Sequence, residues 1–109
     1  MRLRKETEIL QEDEILLVAQ VSDALAHPVR IKIYQFIMQC NKDRTPVCNK
    51  DVVAAFDYSP ATISQHIKKL VEADLVQLKK VEKCSMYYAN IGMLSRYLSA
   101  TRKFSTFQA

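Results

Sequence analysis

A scarcity of glycine is the feature that most constrains how this chain folds. Gly92 is the single glycine in 109 residues, so turns that need a positive backbone φ angle must be few or must be made by other residues. The same scarcity excludes a glycine-rich phosphate-binding loop and argues against a nucleotide-binding enzyme. We therefore expect a mostly helical chain, and its length predicts a single domain, residues 1–109.

Four stretches of the chain carry apolar residues at helical spacing. Residues 6–26 hold a wide apolar stripe uninterrupted by proline or glycine, and Pro28 opens a second helix that runs to about Gln39. A polar loop is predicted at 41–47, followed by a short helix at 50–56 with Asn49 as its cap. Ser59 and Pro60 are an N-cap and a first-turn proline for a fourth helix that ends near residue 73. The short helix, the fourth helix and the short connection between them predict a helix-turn-helix at 50–73.

The apolar period changes after Asp74 from helical spacing to a spacing close to two. This alternation predicts a β-hairpin with strands at about 75–81 and 86–90, joined by residues 82–85. Helical spacing then returns for a last helix at 91–104, and 105–109 are expected to be a frayed tail. The fold class predicted is mainly α with a small β-hairpin: a winged helix-turn-helix made of helices 1 to 4, a β wing at 75–90 and a C-terminal helix.

The fourth helix and the hairpin carry the side chains suited to DNA. The second helix of a helix-turn-helix enters the major groove with its N-terminal residues nearest the bases, and a glutamine such as Gln65 can contact adenine with two hydrogen bonds. Lysines further along are placed for phosphates, and hairpin lysines for an adjacent phosphate strand or the minor groove. The predicted DNA-binding residues are Ser59, Thr62, Ser64, Gln65, Lys68, Lys69, Lys79, Lys80 and Lys83.

Positive charge is concentrated in the second half of the chain. Residues 1–57 contain 8 basic and 9 acidic residues, whereas 58–109 contain 8 basic and 3 acidic. A polyanion partner for the second half explains this asymmetry, and so does an ordinary solvated face.

Three segments in this order resemble the ArsR/SmtB family of winged helix repressors: "ALAHPVRIKIYQFI", "SPATISQHIKKLVEADLV" and "MYYAN". The resemblance covers about residues 16–98. It implies a homodimer assembled through helices 6–26 and 91–104, operator binding by the fourth helix, and release when an effector binds or a thiol is modified. The wide apolar stripe of the first helix fits such a dimer independently. Arg30 matches the arginine of the family's "PxR" segment, as a DNA-phosphate contact or as a structural ion-pair partner.

The metal-sensing motifs of many family members are missing. The third helix has no Cys-x-Cys pair, the last helix has no ligand residue, and the chain has only two histidines. We therefore predict no metal site and no cofactor, with His27 as a helix-start residue and His66 packed against the helix-turn-helix or wing. Cys40 and Cys48 are candidates for a thiol sensor that bridges on oxidation. The alternative is that Cys40 packs in the core and Cys48 is incidental, while Cys84 is expected to be an exposed surface residue.

The function predicted is that of a sequence-specific, dimeric DNA-binding transcriptional repressor. An enzyme is excluded because the chain offers no nucleophile with a base and orienter, no paired carboxylates and no cofactor loop. A winged helix that contacts only proteins is the alternative, but its fourth helix would present acidic or apolar residues where Ser64, Gln65 and Lys68 stand. No apolar run reaches about 18 residues and the first residues are charged, so we expect no membrane partner and a cytoplasmic location.

Overall fold

The computed structural model describes residues 9–107. Its elements are α1 (Glu12–Ala24), α2 (Pro28–Lys42), α3 (Asn49–Ala55), α4 (Pro60–Glu72), β1 (Val76–Val81), β2 (Cys84–Ala89), α5 (Ile91–Arg102) and a 3₁₀ helix (Lys103–Phe107). The two strands pair as an antiparallel hairpin. The predicted fold class, mainly α with one small β-hairpin, is confirmed.

One cluster of buried side chains joins α2, α4 and the base of the hairpin. Ile33 and Ile37 of α2 and Ile63 and Leu70 of α4 have no exposed surface, as the i, i+4 and i, i+7 spacings of these residues predict. Burial of such side chains away from water is the main force that holds the two helices together. Helix α4 is therefore held by one face, and its opposite face is left to solvent.

Helix α1 begins six residues later than predicted. Residues 6–8 lie outside the described part of the chain, and 9–11 are not helical. Two interactions set the start at Glu12. The side chain of Glu14 accepts the backbone N–H of Gln11 at 3.0 Å. The three acidic residues of the first turn interact favourably with the positive end of the helix dipole. The helix ends at Ala24 rather than residue 26.

Arg30 contacts the C-terminal end of α1. Its Nε donates to the carbonyl oxygen of Ala24 at 2.7 Å and its guanidinium donates to that of Asp23 at 3.3 Å. These carbonyls belong to the last turn of α1, where intrahelical donors run out. The structural role of Arg30 is thus hydrogen bonding to main-chain carbonyls of α1 and not the ion pair that we considered from the sequence.

Helix α2 extends to Lys42, so the loop predicted at 41–47 begins too early. Asn41 explains the extension: its side-chain oxygen accepts the backbone N–H of Ala89 at 2.7 Å and its amide donates to the carbonyl of Tyr87 at 3.2 Å. Tertiary contact with β2 therefore keeps a turn-forming residue inside the helix, and no local pattern reports such a contact.

Helix α3 is capped by Cys48 and not by Asn49. The side chain of Asp51 accepts the backbone N–H of Cys48 at 2.9 Å, which fixes the first turn. Asn49 instead donates from its side-chain amide to the hydroxyl of Ser64 at 3.0 Å and ties α3 to α4. The two helices of the helix-turn-helix occupy 49–55 and 60–72, close to the predicted 50–73.

The hairpin turns in two residues, Glu82 and Lys83, so β2 begins at Cys84 and not at residue 86. Glu82 has a φ angle of 57°, and two further turn residues, Arg44 and Asp74, also have positive φ angles. Residues other than glycine thus make these turns, at a conformational cost that glycine would not incur. At the C-terminal end α5 stops at Arg102 and not at 104. Residues 105–107, predicted as frayed, belong to the 3₁₀ helix, and 108–109 lie outside the described residues.

Candidate nucleic-acid interface

The start of α4 is defined by a hydrogen-bonded cap. The hydroxyl of Ser59 accepts the backbone N–H of Thr62 at 3.2 Å and donates to the hydroxyl of Thr62 at 3.0 Å, and Pro60 occupies the first helical position. The predicted N-cap is confirmed. Ser59 and Thr62, both predicted to contact DNA, are engaged with each other in this cap, so their first role is to set where α4 begins.

The outward face of α4 presents four polar side chains to solvent. Ser64, Gln65, Lys68 and Lys69 are exposed, on the side opposite the buried isoleucines. Within residues 9–107 the side chain of Gln65 has no hydrogen-bond partner, whereas Ser64 accepts the bond from Asn49. Gln65 therefore holds a free donor and a free acceptor near the N-terminal end of the helix, which is the pair that an adenine edge requires.

The lysines of the hairpin are exposed but do not share one face. Adjacent residues of a strand point to opposite sides, and Lys79 pairs across the hairpin with Met86 while Lys80 pairs with Ser85. Lys79 lines an open groove toward the C-terminal end of α4 with Asp74. Ser85, the partner of Lys80, lines the groove that includes Ser64. Lys80 therefore shares a face of the hairpin with Ser85, and Lys79 lies on the other face.

The positive charges of α4 and the wing are available to an external anion. We call Lys68 and Lys69 the α4 lysines, and Lys79, Lys80 and Lys83 the wing lysines. Within the described residues, none of these five forms an ion pair, and all are exposed. Exposed lysines without a carboxylate partner keep their full charge for a polyanion.

His66 is partly buried, but its ring packs against the start of α2, where the sequence had suggested the helix-turn-helix or wing. Its ring lies 4.8 Å from that of His27, centroid to centroid, with the planes tilted by 55°. His27 caps α2 through Nδ1, which accepts the backbone N–H of Val29 at 3.3 Å, so it is the helix-start residue predicted. Burial lowers the pKa of His66, and electrostatic interaction with His27 and Arg30 lowers this pKa further. These effects favour the neutral form of His66, which links α4 to the start of α2.

The two candidate sensor thiols are held in their protonated forms. Cys40 packs partly buried against the core, and burial followed by the charges of Asp51 and Asp43 raises its pKa. Cys48 is buried, and its Sγ donates to a carboxylate oxygen of Asp51 at 3.2 Å; burial and this hydrogen bond raise its pKa. Cys84 is exposed as expected. Because the thiolate is the reactive species, these pKa shifts favour the packing role of Cys40 over the sensing role.

No three His, Cys, Asp or Glu side chains among residues 9–107 are grouped so as to hold a metal ion. In the same part of the chain, no helix is long and apolar enough to cross a membrane.

A capped second helix with a polar outward face and a two-stranded wing beside it define the described chain as a winged helix-turn-helix protein. A family model described as a helix-turn-helix domain matches residues 25–78. Several solved structures that share this fold are ArsR-like or ArsR-family regulators, and the three sequence segments resemble the same family. Comparison with curated proteins finds no match.

Three solved structures illustrate the similarity. An ArsR-like transcriptional regulator from a Rhodococcus species has a TM-score of 0.73 at 20% identity, over 84% of this chain and 82% of that one. A homodimeric winged helix-turn-helix DNA-binding domain from Mycobacterium bovis has a TM-score of 0.65 at 19% identity, over 97% and 90%. The transcriptional repressor BigR from Xylella fastidiosa has a TM-score of 0.59 at 19% identity, over 90% and 93%. At these identities the similarity shows that the chain shares the fold of these three proteins.

Proposed function

We propose that this protein is a sequence-specific DNA-binding transcriptional regulator, acting as a homodimeric repressor that an effector or a thiol modification releases from its operator. The single observation that carries the proposal is the outward face of α4, where a free glutamine amide stands beside the α4 lysines. Together with the ArsR-like fold, this face has the geometry and the chemistry of a recognition helix.

In this proposal the residues of the interface have different roles. Gln65 reads a base edge in the major groove, with Ser64 beside it. The α4 lysines and the wing lysines contact phosphates, which positions the protein but carries no sequence information. Ser59 and Thr62 set the start of α4, which is the end of a recognition helix that enters the groove first.

The homodimer is supported by apolar surface that one protomer leaves uncovered. Leu16 of α1, Leu98 of α5 and Phe104 of the 3₁₀ helix are 57%, 49% and 52% exposed. A hydrogen bond of 3.0 Å between Ser22 and Tyr97 and other contacts pack α1 against α5, so these side chains lie on neighbouring elements. Uncovered apolar surface of this kind marks interaction sites, and the related domain from Mycobacterium bovis is homodimeric. A two-fold dimer predicts a palindromic operator with half-sites about 10 bp apart.

Release from the operator requires only a modest coupling free energy between the DNA-binding face and the site of the effector or thiol modification. A coupling free energy of about 1 to 3 kcal/mol changes DNA affinity 5- to 150-fold. The sequence-based candidate for this switch is a bridge between Cys40 and Cys48 that tilts α3, and through the Asn49–Ser64 hydrogen bond α4. A bound effector acting on the same helices is the other route. The regulator is proposed to work in the cytoplasm.

The test is selection from a pool of randomised duplex DNA at two salt concentrations, with and without reductant, followed by sequencing of the bound fraction. The proposal predicts one enriched palindrome, and affinity for it falling roughly a thousandfold or more between 50 and 200 mM salt if about six phosphate contacts form in each protomer. Gln65→Ala should remove the base preference at one position of each half-site of the palindrome, whereas Gln35→Ala, a change of an exposed glutamine on α2, should not. No enriched sequence at either salt concentration would support the protein-contact module instead.

A further inference from the structure

A groove between α3, α4 and the hairpin brings two thiols to one place. Its volume is about 420 Å³, and its lining includes Cys48 and Asn49 at the start of α3, Ser64 of α4, and Cys84 and Ser85 at the start of β2. Cys40 is not among its lining residues. The groove therefore offers a second thiol pair, Cys48 with Cys84, besides the pair that the sequence suggested.

One backbone hydrogen bond joins the segment before Cys48 to the strand that contains Cys84. The N–H of Tyr87 donates to the carbonyl of Val47 at 2.9 Å, which holds the residue before Cys48 against β2. Cys84 precedes Tyr87 by three residues, a distance of roughly 10 Å along a strand. A disulfide needs Cα atoms within about 7 Å, so the pair can join only if the tip of the wing bends toward α3 by a few ångströms.

The tip of the wing is exposed to solvent. Every residue from 77 to 85 is exposed, and the side chain of Cys84 is among them. Apart from the hairpin's own cross-strand pairing, little packing opposes a movement of this segment. Bending it into the groove would place the tip beside Ser64, and so beside the outward face of α4.

We propose that Cys48 and Cys84 form a reversible disulfide when the protein meets a low-molecular-weight disulfide, and that this bond weakens DNA binding by drawing the wing into the groove. The second half of the proposal rests on the proposed DNA-binding function, but the first half does not. A transient redox disulfide is the kind found in reducing compartments.

The reaction follows thiol–disulfide exchange in two steps. The exposed Cys84, as its thiolate, attacks one sulfur of the small disulfide, forms a mixed disulfide and expels one thiolate. The sulfur of Cys48, on losing its proton, then attacks the Cys84 sulfur and expels the second thiolate. Two cysteine thiols are oxidised, one small disulfide is reduced to two thiols, and the two cysteine protons end on those products. Cys48 is the slower partner because burial and Asp51 raise its pKa.

The bond is tested on the intact protein with glutathione disulfide as the probe. Reaction should lower the intact mass by about 2 Da, and tryptic digestion should link the peptides 45–50 and 84–96. Cys48→Ser and Cys84→Ser should each abolish the link, and Cys40→Ser should retain it. Serine is a good N-cap residue, so Cys48→Ser is expected to fold. A Cys40–Cys48 link, a mixed disulfide that stays on Cys84, or an unchanged mass would each overturn the proposal.

DNA affinity gives a separate readout for the regulatory half. On the selected duplex, the oxidised protein should bind about 5- to 150-fold more weakly than the reduced protein, and added reductant should restore binding. Oxidised Cys40→Ser should behave in the same way, and Cys84→Ser should be insensitive. A disulfide that forms and leaves affinity unchanged would refute the regulatory half. If the reduced protein selects no DNA at all, the proposed function fails, while the mass measurement still decides whether the bond forms.

Discussion

Replacing Asn41 by alanine should destabilise the fold through the attachment of the wing. The side chain of Asn41 makes two hydrogen bonds to the backbone of β2, at 2.7 Å with Ala89 and at 3.2 Å with Tyr87. Each such bond contributes about 1 kcal/mol net, so we expect a loss of about 2 kcal/mol in the free energy of unfolding. For a chain of this length the loss corresponds to a fall in Tm of about 10 °C.

Urea denaturation, followed by circular dichroism at one fixed protomer concentration, measures this loss. The protomer concentration must be fixed because dimerisation stabilises the folded chain by mass action. Gln39→Ala is the matched control, since Gln39 lies on the same helix and makes only an exposed hydrogen bond to Asp43; it should change the free energy of unfolding by no more than about 0.5 kcal/mol. If Asn41→Ala is as mild as this control, Asn41 does not hold the wing and our explanation of the longer α2 is wrong.

Three further predictions concern the wing, the histidine pair and the dimer. Lys79→Ala and Lys80→Ala should each reduce DNA affinity and lower the salt slope by about 1; a variant that changes neither would remove that lysine from the interface. Because the pKa of His66 is lowered by folding, the unfolded chain takes up a proton more readily near its pKa of about 6.5. Stability should therefore fall as the pH drops below about 7, and His66→Gln should flatten this dependence in urea titrations at several pH values. Leu98→Glu should shift the protein to monomers in sedimentation, with its circular dichroism unchanged; a dimer that persists would move the interface away from α5.

Local signals were sufficient to predict α4 from the sequence. Ser59, Pro60 and the spacing of Ile63, Ile67 and Leu70 act within one or two turns, and the structure has the helix at 60–72. A hydroxyl next to a first-turn proline satisfies the orphan N–H groups wherever the rest of the chain lies. The outward face of α4 follows from the same periodicity, so the exposed positions of Gln65 and the α4 lysines were predictable too.

Tertiary contacts set the helix boundaries that were predicted wrongly from the sequence. Helix α2 runs on to Lys42 because Asn41 finds its partners 46 and 48 residues away, and Arg30 binds carbonyls of the preceding helix. Neither partner is visible in a window of neighbouring residues. The cap of α3 was misassigned because Asn49 is the better cap by residue type, but its side chain is drawn to Ser64.

Strand alternation could have refined the prediction of the DNA-binding lysines from the sequence. Alternation along a strand places Lys79 and Lys80 on opposite faces, although both were predicted to bind DNA together. The pairing of Cys48 with Cys84, in contrast, depends on the Tyr87–Val47 hydrogen bond between distant segments. No spacing within the sequence predicts that contact.

The most direct test of the account is the base preference of Gln65. On the selected operator, affinities are measured for wild type and for Gln65→Ala with each of the four base pairs at every position of one half-site. Wild type should prefer adenine at one position by about 1 to 3 kcal/mol, and Gln65→Ala should lose this preference there and retain the others. If Gln65→Ala weakens all sequences equally, or changes none, α4 does not read DNA through Gln65 and the central claim is wrong.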